Sequence, residues 1–287
     1  MPGILVKINN KNMSRKKYGL YESIVSGIMA HVDSRTSLAR HIYSLAKRYC
    51  SVYQGENNPD YITNGQQEFY KKLFSLRNTK LVVEVGANMG EMSNYILSLK
   101  RGLELHCFEP DPRAFVLLQT KLGFSNAILN LVAIGDKIET KSLYMHKKHS
   151  EWNTFHLYPH RHGEFSPRLV KVTTLDSYFR EKNIRHVALL KIDTEGHDLF
   201  VLKGAISHLR KGLIDVIVFE FGEVTMLSRA LFFDTYSYLE SLGYRIYKVM
   251  PKYLKRVYYS TEDERCFYAN FVAVRKNYDI EDLEVDN

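Results

Sequence analysis

"LVVEVGANMGEMSNYI", residues 81–96, runs from an apolar strand through two glycines and an asparagine into a helix. A parallel strand that turns directly into a helix aims backbone N–H groups, and the positive end of the helix, at whatever lies above the strand tip. Gly86 and Gly90 let the backbone pass close to a ligand without Cβ interference. A dinucleotide site would read G-x-G-x-x-G, with the second glycine making room for a pyrophosphate. Here Asn88 takes that place and the third glycine is missing, so a pyrophosphate is disfavoured.

The next apolar run ends "LHCFEPDP" (105–112), which puts Glu109 at the tip of the neighbouring strand. An acidic side chain there can accept both hydroxyls of a ribose. A ribose at that tip and a charged, non-phosphate tail at the glycines together fit S-adenosylmethionine, with Glu84 expected to meet the tail's ammonium group or its water. A capping or surface carboxylate is the plainer reading of either acid alone.

Outward from this point the text alternates strand and helix. Apolar runs at 81–85, 104–108, 128–133, 187–192 and 214–220 are continuous, so they are expected to be buried on both faces of a parallel sheet. Helical segments are expected at 91–100, 112–122, 198–211 and 228–242. After Gly243, "YRIYKVM" and "CFYANFVAVRK" read as a terminal antiparallel pair. The fold class is therefore doubly wound α/β. Upstream, residues 18–53 carry apolar residues at helical spacing and read as two amphipathic helices. "QGENNPDYITNG" (54–65) reads as a polar linker, and a helix capped at Asn64 follows. The expected domains are a helical extension, 1–60, and an α/β domain, 61–287.

Five blocks, "VVEVGANMGEMS", "FEPDP", "NLVAIGD", "VTTLDSY" and "LLKIDTEGHDLFVLKGA", resemble the FkbM-type methyltransferases in order and spacing over residues 65–275. The resemblance implies the Rossmann-like class I methyltransferase fold: a seven-stranded, mostly parallel sheet ordered 3-2-1-4-5-7-6 with an antiparallel C-terminal strand. It also implies S-adenosylmethionine as cofactor and O-methylation of a sugar, polyketide or polysaccharide. By that likeness Gly86, Asn88 and Gly90 form the methionine-tail loop, Glu109 accepts the ribose, and Ala133 and Ile134 lie at the adenine. Ordinary core packing remains the alternative for Ala133 and Ile134.

Ligands of open α/β sheets sit beyond the carboxyl ends of the strands, which places Asp193, Glu195 and His197 of "LLKIDTEGHD" in the crevice. Methyl transfer to a hydroxyl needs an aligned acceptor and a place for its proton. Asp193 is the first candidate for base or orienter, with His197 in the catalytic set. Lys191 shares its strand face and needs a buried partner; Asp193 and Glu220, at the tip of "VIVFEF", are the candidates. A purely structural ion pair is the competing reading of Lys191, and a helix-starting turn that of Glu195 and His197.

The stretch "MHKKHSEWNTFHLYPHRHGEF" (145–165) holds five of the eleven histidines and the single tryptophan. His146, His149, His156, His160 and His162 raise the idea of a metal site, but Pro159 and Gly163 interrupt any clean helical face, and no metal is expected. The segment reads instead as an insertion lining the acceptor side. There Trp152 and Tyr158 would stack on a sugar ring, while Asn153, His156 and Glu195 would bind its polar groups.

Hydrophobic residues make up 45% and charged residues 25%, as in a globular protein with a real core. The net charge of +8 weakly favours an anionic partner. Cys50, Cys107 and Cys266 have no metal-ligand spacing and read as reduced, mostly buried thiols of a cytoplasmic protein. No run is long enough to span a bilayer, and the first residues do not read as a secretory signal. The leading expectation is an O-methyltransferase acting on a glycan or other small hydroxylated acceptor. The alternatives are an RNA ribose 2′-O-methyltransferase, favoured by charge and the lysine–acid set, and a non-catalytic binding protein. A homodimer through residues 1–60 is a further expectation. Nothing in the text identifies the acceptor.

Overall fold

Val, Leu and Ile crowd the central strands, and the sheet they form carries helices on both faces. The computed structural model describes residues 33–123, 125–156, 164–278 and 280, with 22, 23 and 25–28. The chain divides into two compact units, Met1–Tyr53 and Gln54–Asn287. In the first, the helix Ser37–Gln54 has no buried residue.

In the second unit, β1 (Leu81–Val85), β2 (Glu104–Phe108), β3 (Ala127–Asn130), β7 (Val187–Ile192) and β8 (Ile214–Phe221) run parallel. β9 (Tyr244–Val249), β10 (Leu254–Arg256) and β11 (Ala269–Arg275) complete an eight-stranded sheet in the order β10-β9-β11-β8-β7-β1-β2-β3. β11 inserts antiparallel between β8 and β9. This is the expected strand order, with β10 as an extra edge strand. Alternation along each strand feeds two cores. Val83, Val85, Leu190, Ile192 and Phe219 pack under the helices Leu175–Glu181, Asp198–Lys203 and Phe232–Ser241. Val82, Leu105, Leu189 and Val218 pack under the helices Gln66–Leu76, Glu91–Leu99 and Pro112–Leu122.

Several expectations change. The expected third strand, 128–133, breaks after Asn130; Ala133–Ile134 (β4) leaves for a second sheet, β4-β6-β5, with β5 (Glu139–His146) antiparallel to β6 (Phe165–Thr173). The stretch that read as an insertion, 145–165, thus connects the two strands of a β-hairpin. The helix expected at 198–211 is two short ones, and that at 228–242 begins at Phe232 after a separate turn, Glu223–Leu227. Segment 54–65 is tied to the sheet: the Asn57 N–H donates to the Tyr268 carbonyl at 2.8 Å, and Lys248 ion-pairs with buried Glu56 at 2.8 Å. Gly65, not Asn64, is the N-cap, although Asn64 Oδ1 accepts from the Gln66 N–H. Of the cysteines, all free, Cys107 alone is buried; Cys266 is half-buried and Cys50 exposed. Among the described residues no helix is long and apolar enough to cross a membrane.

Candidate active site

A cavity of about 610 Å³ opens at the carboxyl ends of β1, β2, β7 and β8, inside the roughly 300–1,000 Å³ range of small-molecule sites. Its floor is the turn after β1. The Gly86 and Ala87 N–H groups both donate to the Phe108 carbonyl at 3.0 Å, clamping the turn to β2. Gly86 has φ +84°, and a Cβ there would stand 1.8 Å from the Asp193 carbonyl oxygen. Only glycine lets the tips of β1 and β7 come this close.

Glu109 lines the cavity and is 6% exposed. Its Oε2 accepts the Asn88 N–H and its Oε1 the Asp111 N–H, each at 2.8 Å. Burial pushes its carboxyl up to about 7, against the opposing pull of those two hydrogen bonds. A carboxylate offers about four acceptor positions, so two remain for a ligand's hydroxyls. Asn88, at φ +45°, receives the Ser150 hydroxyl on its Oδ1 at 2.7 Å. Val85, Phe108, Val132, Ala133 and Ile134 add an apolar wall beside Glu109.

The lining is also acidic and aromatic. Asp193, Glu195 and Glu220 line the cavity with Trp152, Asn153 and Tyr268. Asp193 keeps 44% of its side chain exposed, and its Oδ2 accepts from Lys191 Nζ at 3.1 Å. Burial, then the neighbouring Asp193, Glu195 and Asp198 carboxylates, raises the Glu220 carboxyl well above its ordinary value. Asn153 is committed to the scaffold: its Nδ2 donates to Asp111 Oδ2 at 2.7 Å and its Oδ1 accepts the His146 N–H at 2.8 Å. Trp152 stacks on His149 with ring centroids 4.4 Å apart.

Several expected site residues stand elsewhere. Glu84 is fully buried below the turn and does not line the cavity. Residue 84 shares a strand face with Val82, so its carboxylate points into the second core. There it meets Lys191 Nζ at 3.2 Å and the Ser93 hydroxyl at 2.5 Å, not a ligand's ammonium. Burial raises its pKa. Lys191, 3% exposed, also lies below the cavity; burial opposes its charge, but Asp193 and Glu84 outweigh that and hold it protonated. Its carboxylate partners are thus Asp193 and Glu84 rather than Glu220. Gly90 caps the helix Glu91–Leu99 at φ +83°, and a Cβ there would meet Leu118 Cδ1 at 2.7 Å, so its smallness serves helix packing. His197 is 1% exposed, stacks on Phe200 at 4.6 Å and faces His156 across 3.1 Å. Burial and Lys141 push His197 down to about 2 and His156 to about 4, so both are neutral at pH 7 and neither lines the cavity. Tyr158, His160 and His162 lie outside the described residues. Among the described residues no three His, Cys, Asp or Glu side chains are placed to share a metal ion.

Residues missed by sequence reading include Asp111, Ser150, Thr154 and Tyr268. Asp111 is fully buried; it caps the helix Pro112–Leu122, holds Arg113 at 2.8 Å and receives Asn153. The "D-P" at 111–112 was a readable helix start. The Thr154 hydroxyl donates to the Glu195 carbonyl at 2.8 Å, a tertiary contact with no local signature.

An open α/β sheet with this strand order, an acid at the second strand tip and no pyrophosphate turn defines the class I methyltransferase architecture. The Methyltransferase FkbM domain profile matches residues 84–246, more than half of the chain. The chain therefore belongs to the FkbM methyltransferase family and is an S-adenosylmethionine-dependent methyltransferase. A relative, 2-O-methyltransferase NoeI of Sinorhizobium fredii, is 24% identical over 187 residues, covering 59% of this chain and 74% of that protein. Among solved structures, the METTL16 methyltransferase domain has a TM-score of 0.42 at 11% identity, over 74% of this chain and 66% of that one. Precorrin-6y C5,15-methyltransferase from Geobacter metallireducens has a TM-score of 0.40 at 12% identity, over 76% and 93%.

The cavity fits the cofactor. Glu109 is pre-held by two backbone N–H groups with acceptor positions to spare, the turn at Gly86 exposes backbone, and the neighbouring wall is apolar.

Proposed function

We propose that the chain moves a methyl group to a hydroxyl of a sugar or glycan. Gly86 and Asn88 are assigned to the methionine end of S-adenosylmethionine, Glu109 to the ribose, and Ala133 and Ile134 to the adenine. The bound cofactor supplies an electrophilic methyl on a sulfonium. The chain's own task is to orient the acceptor and take its proton.

Asp193 carries this reading. It is a carboxylate at the tip of β7 that faces the cavity while a buried lysine anchors one of its oxygens. Lys191 fixes Oδ2, so Oδ1 is the atom assigned to receive the acceptor's hydroxyl proton. A base fixed in direction avoids the entropic cost of finding the hydroxyl. Trp152 and Tyr268 offer ring faces to a sugar, and Glu195 and Glu220 offer acceptors for its remaining hydroxyls. The name of the 24%-identical relative, a 2-O-methyltransferase, supports a hydroxyl acceptor. RNA ribose methylation loses its main structural motive, because Lys191 is buried beneath the cavity and locked between two acids. A cavity wall bearing the Asp193 and Glu195 carboxylates also repels a phosphodiester backbone.

The test is transfer of labelled methyl from S-adenosylmethionine to a panel of mono- and oligosaccharides, with RNA as comparator. Wild-type labelling of saccharides, lost in Asp193→Asn, supports the proposal. Labelling of RNA alone, or equal turnover by Asp193→Asn, overturns it.

A further inference from the structure

The excess positive charge of this chain is not spread evenly. Residues 1–53 hold nine Lys and Arg against two acids (Glu22 and Asp33), which is +7 of the chain's +8. Within this unit the helix Ser37–Gln54, "SLARHIYSLAKRYCSVYQ", contains Arg40, Lys47 and Arg48 and no acidic residue. At 3.6 residues per turn its Leu38, Ile42, Leu45, Tyr49 and Val52 fall along one side, Arg40 and Lys47 fall on the opposite side, and His41 and Arg48 flank the apolar strip. Among the described residues nothing buries that apolar side: exposure runs from 58% at Ile42 to 74% at Val52. The helix is about 27 Å long at 1.5 Å per residue, a large apolar strip to leave in water.

We propose that this helix lies in the surface of an anionic lipid bilayer, its apolar side sunk among the acyl chains and its basic side at the headgroups. Charge decides among the candidate occupants. A second copy of the helix would satisfy the apolar side but leave both acid-free basic faces without a counter-charge. A nucleic acid would satisfy the charge and leave the apolar side wet. A negatively charged membrane surface satisfies both at once, because the two faces of an interfacial helix meet two different layers. Tyr43, Tyr49 and Tyr53 carry an apolar ring and a polar tip, which suits the headgroup boundary. The helix is not a span, which agrees with the absence of any membrane-crossing helix among the described residues. This inference does not depend on the identity of the methyl acceptor. It places the enzyme at a lipid surface, where a lipid-linked acceptor would be concentrated.

The experiment is co-sedimentation of the full-length protein with vesicles of phosphatidylcholine alone or mixed with phosphatidylserine. Binding to the mixed vesicles, weakened by salt and much poorer on phosphatidylcholine alone, is the expected result. Each basic side chain near an anionic surface strengthens binding by roughly fivefold, so R40Q/K47Q/R48Q should lose on the order of a hundredfold. I42E/L45E should abolish binding while cofactor affinity, measured by titration calorimetry, stays at the wild-type value. No binding to the mixed vesicles, or I42E/L45E binding them like wild type, overturns the proposal. A dimer in sedimentation equilibrium that I42E/L45E turns into monomer, without vesicle binding, assigns the face to a second copy and overturns it equally.

Discussion

Asp193 and Glu109 are two carboxylates given different tasks by their surroundings. Asp193 is half exposed and has a cation behind it, whereas Glu109 is buried and held by backbone amides. Asp193→Asn preserves shape and removes the proton acceptor, so turnover should fall by about a hundredfold or more with cofactor affinity nearly unchanged. Single-turnover kinetics and calorimetry separate the two. Glu109 should make cofactor binding pH-dependent. Its carboxyl, pushed up to about 7, is protonated below that value and is then the poorer acceptor for ribose hydroxyls. Affinity should therefore rise as pH increases from 6 to 8, and Glu109→Gln should flatten the curve. The stability sign runs the other way: the folded value lies above the ordinary 4.5, so this group favours folding most below that pH, and the contribution is lost as pH climbs through about 7. The sequence marked Glu109 because a strand tip followed by "PDP" is a local signal. It misplaced Glu84 because its partner, Lys191, is a register neighbour on another strand, and pairing across β1 and β7 leaves no trace in local text.

At the scale of elements, the Glu84–Lys191–Asp193 chain links β1 to β7 beneath the cavity floor. Lys191→Met would leave Glu84 as an uncompensated buried acid, a loss of about 3–5 kcal/mol. The double variant Lys191→Met/Glu84→Gln should recover part of it, as read from denaturant midpoints. Gly86→Ala should be worse than its single methyl suggests, because the Cβ meets the Asp193 carbonyl and the residue sits at φ +84°. Gly102→Ala has open space at φ +72° and should cost only about 1 kcal/mol. The parallel strands were legible because they are buried on both sides and read as unbroken apolar runs. The β5–β6 hairpin was not. Its strands, "ETKSLYMH" and "FSPRLVKVT", carry charges and hydroxyls and bury only five of their seventeen residues, so the histidines between them dominated the reading.

For the molecule as a whole, the two units differ sharply in burial. The second holds both hydrophobic cores, while the helix Ser37–Gln54 of the first buries nothing and presents Arg40, Lys47 and Arg48 to a protease. Limited trypsin digestion of the full chain should cut before residue 54 and leave a resistant fragment, with the products read by mass spectrometry. Early loss of the 54–287 portion would show that the division is wrong. The apolar runs marked the strands, and the family likeness implied their order in the sheet. The anchoring of segment 54–65 did not, because polar, Pro-containing text looks the same whether it is solvated or hydrogen-bonded to a sheet.

The hairpin is fastened at four points. Arg113 donates to the His146 and Lys147 carbonyls, Asn153 to Asp111, Ser150 to Asn88, and Thr154 to the Glu195 carbonyl. Anyone wishing to retarget this enzyme by exchanging that module for a homologous one would have to transplant its sockets as well. A graft that brought new recognition side chains but lacked Ser150, Asn153 and Thr154 would sit crookedly and spoil the donor pocket along with the specificity it was meant to change.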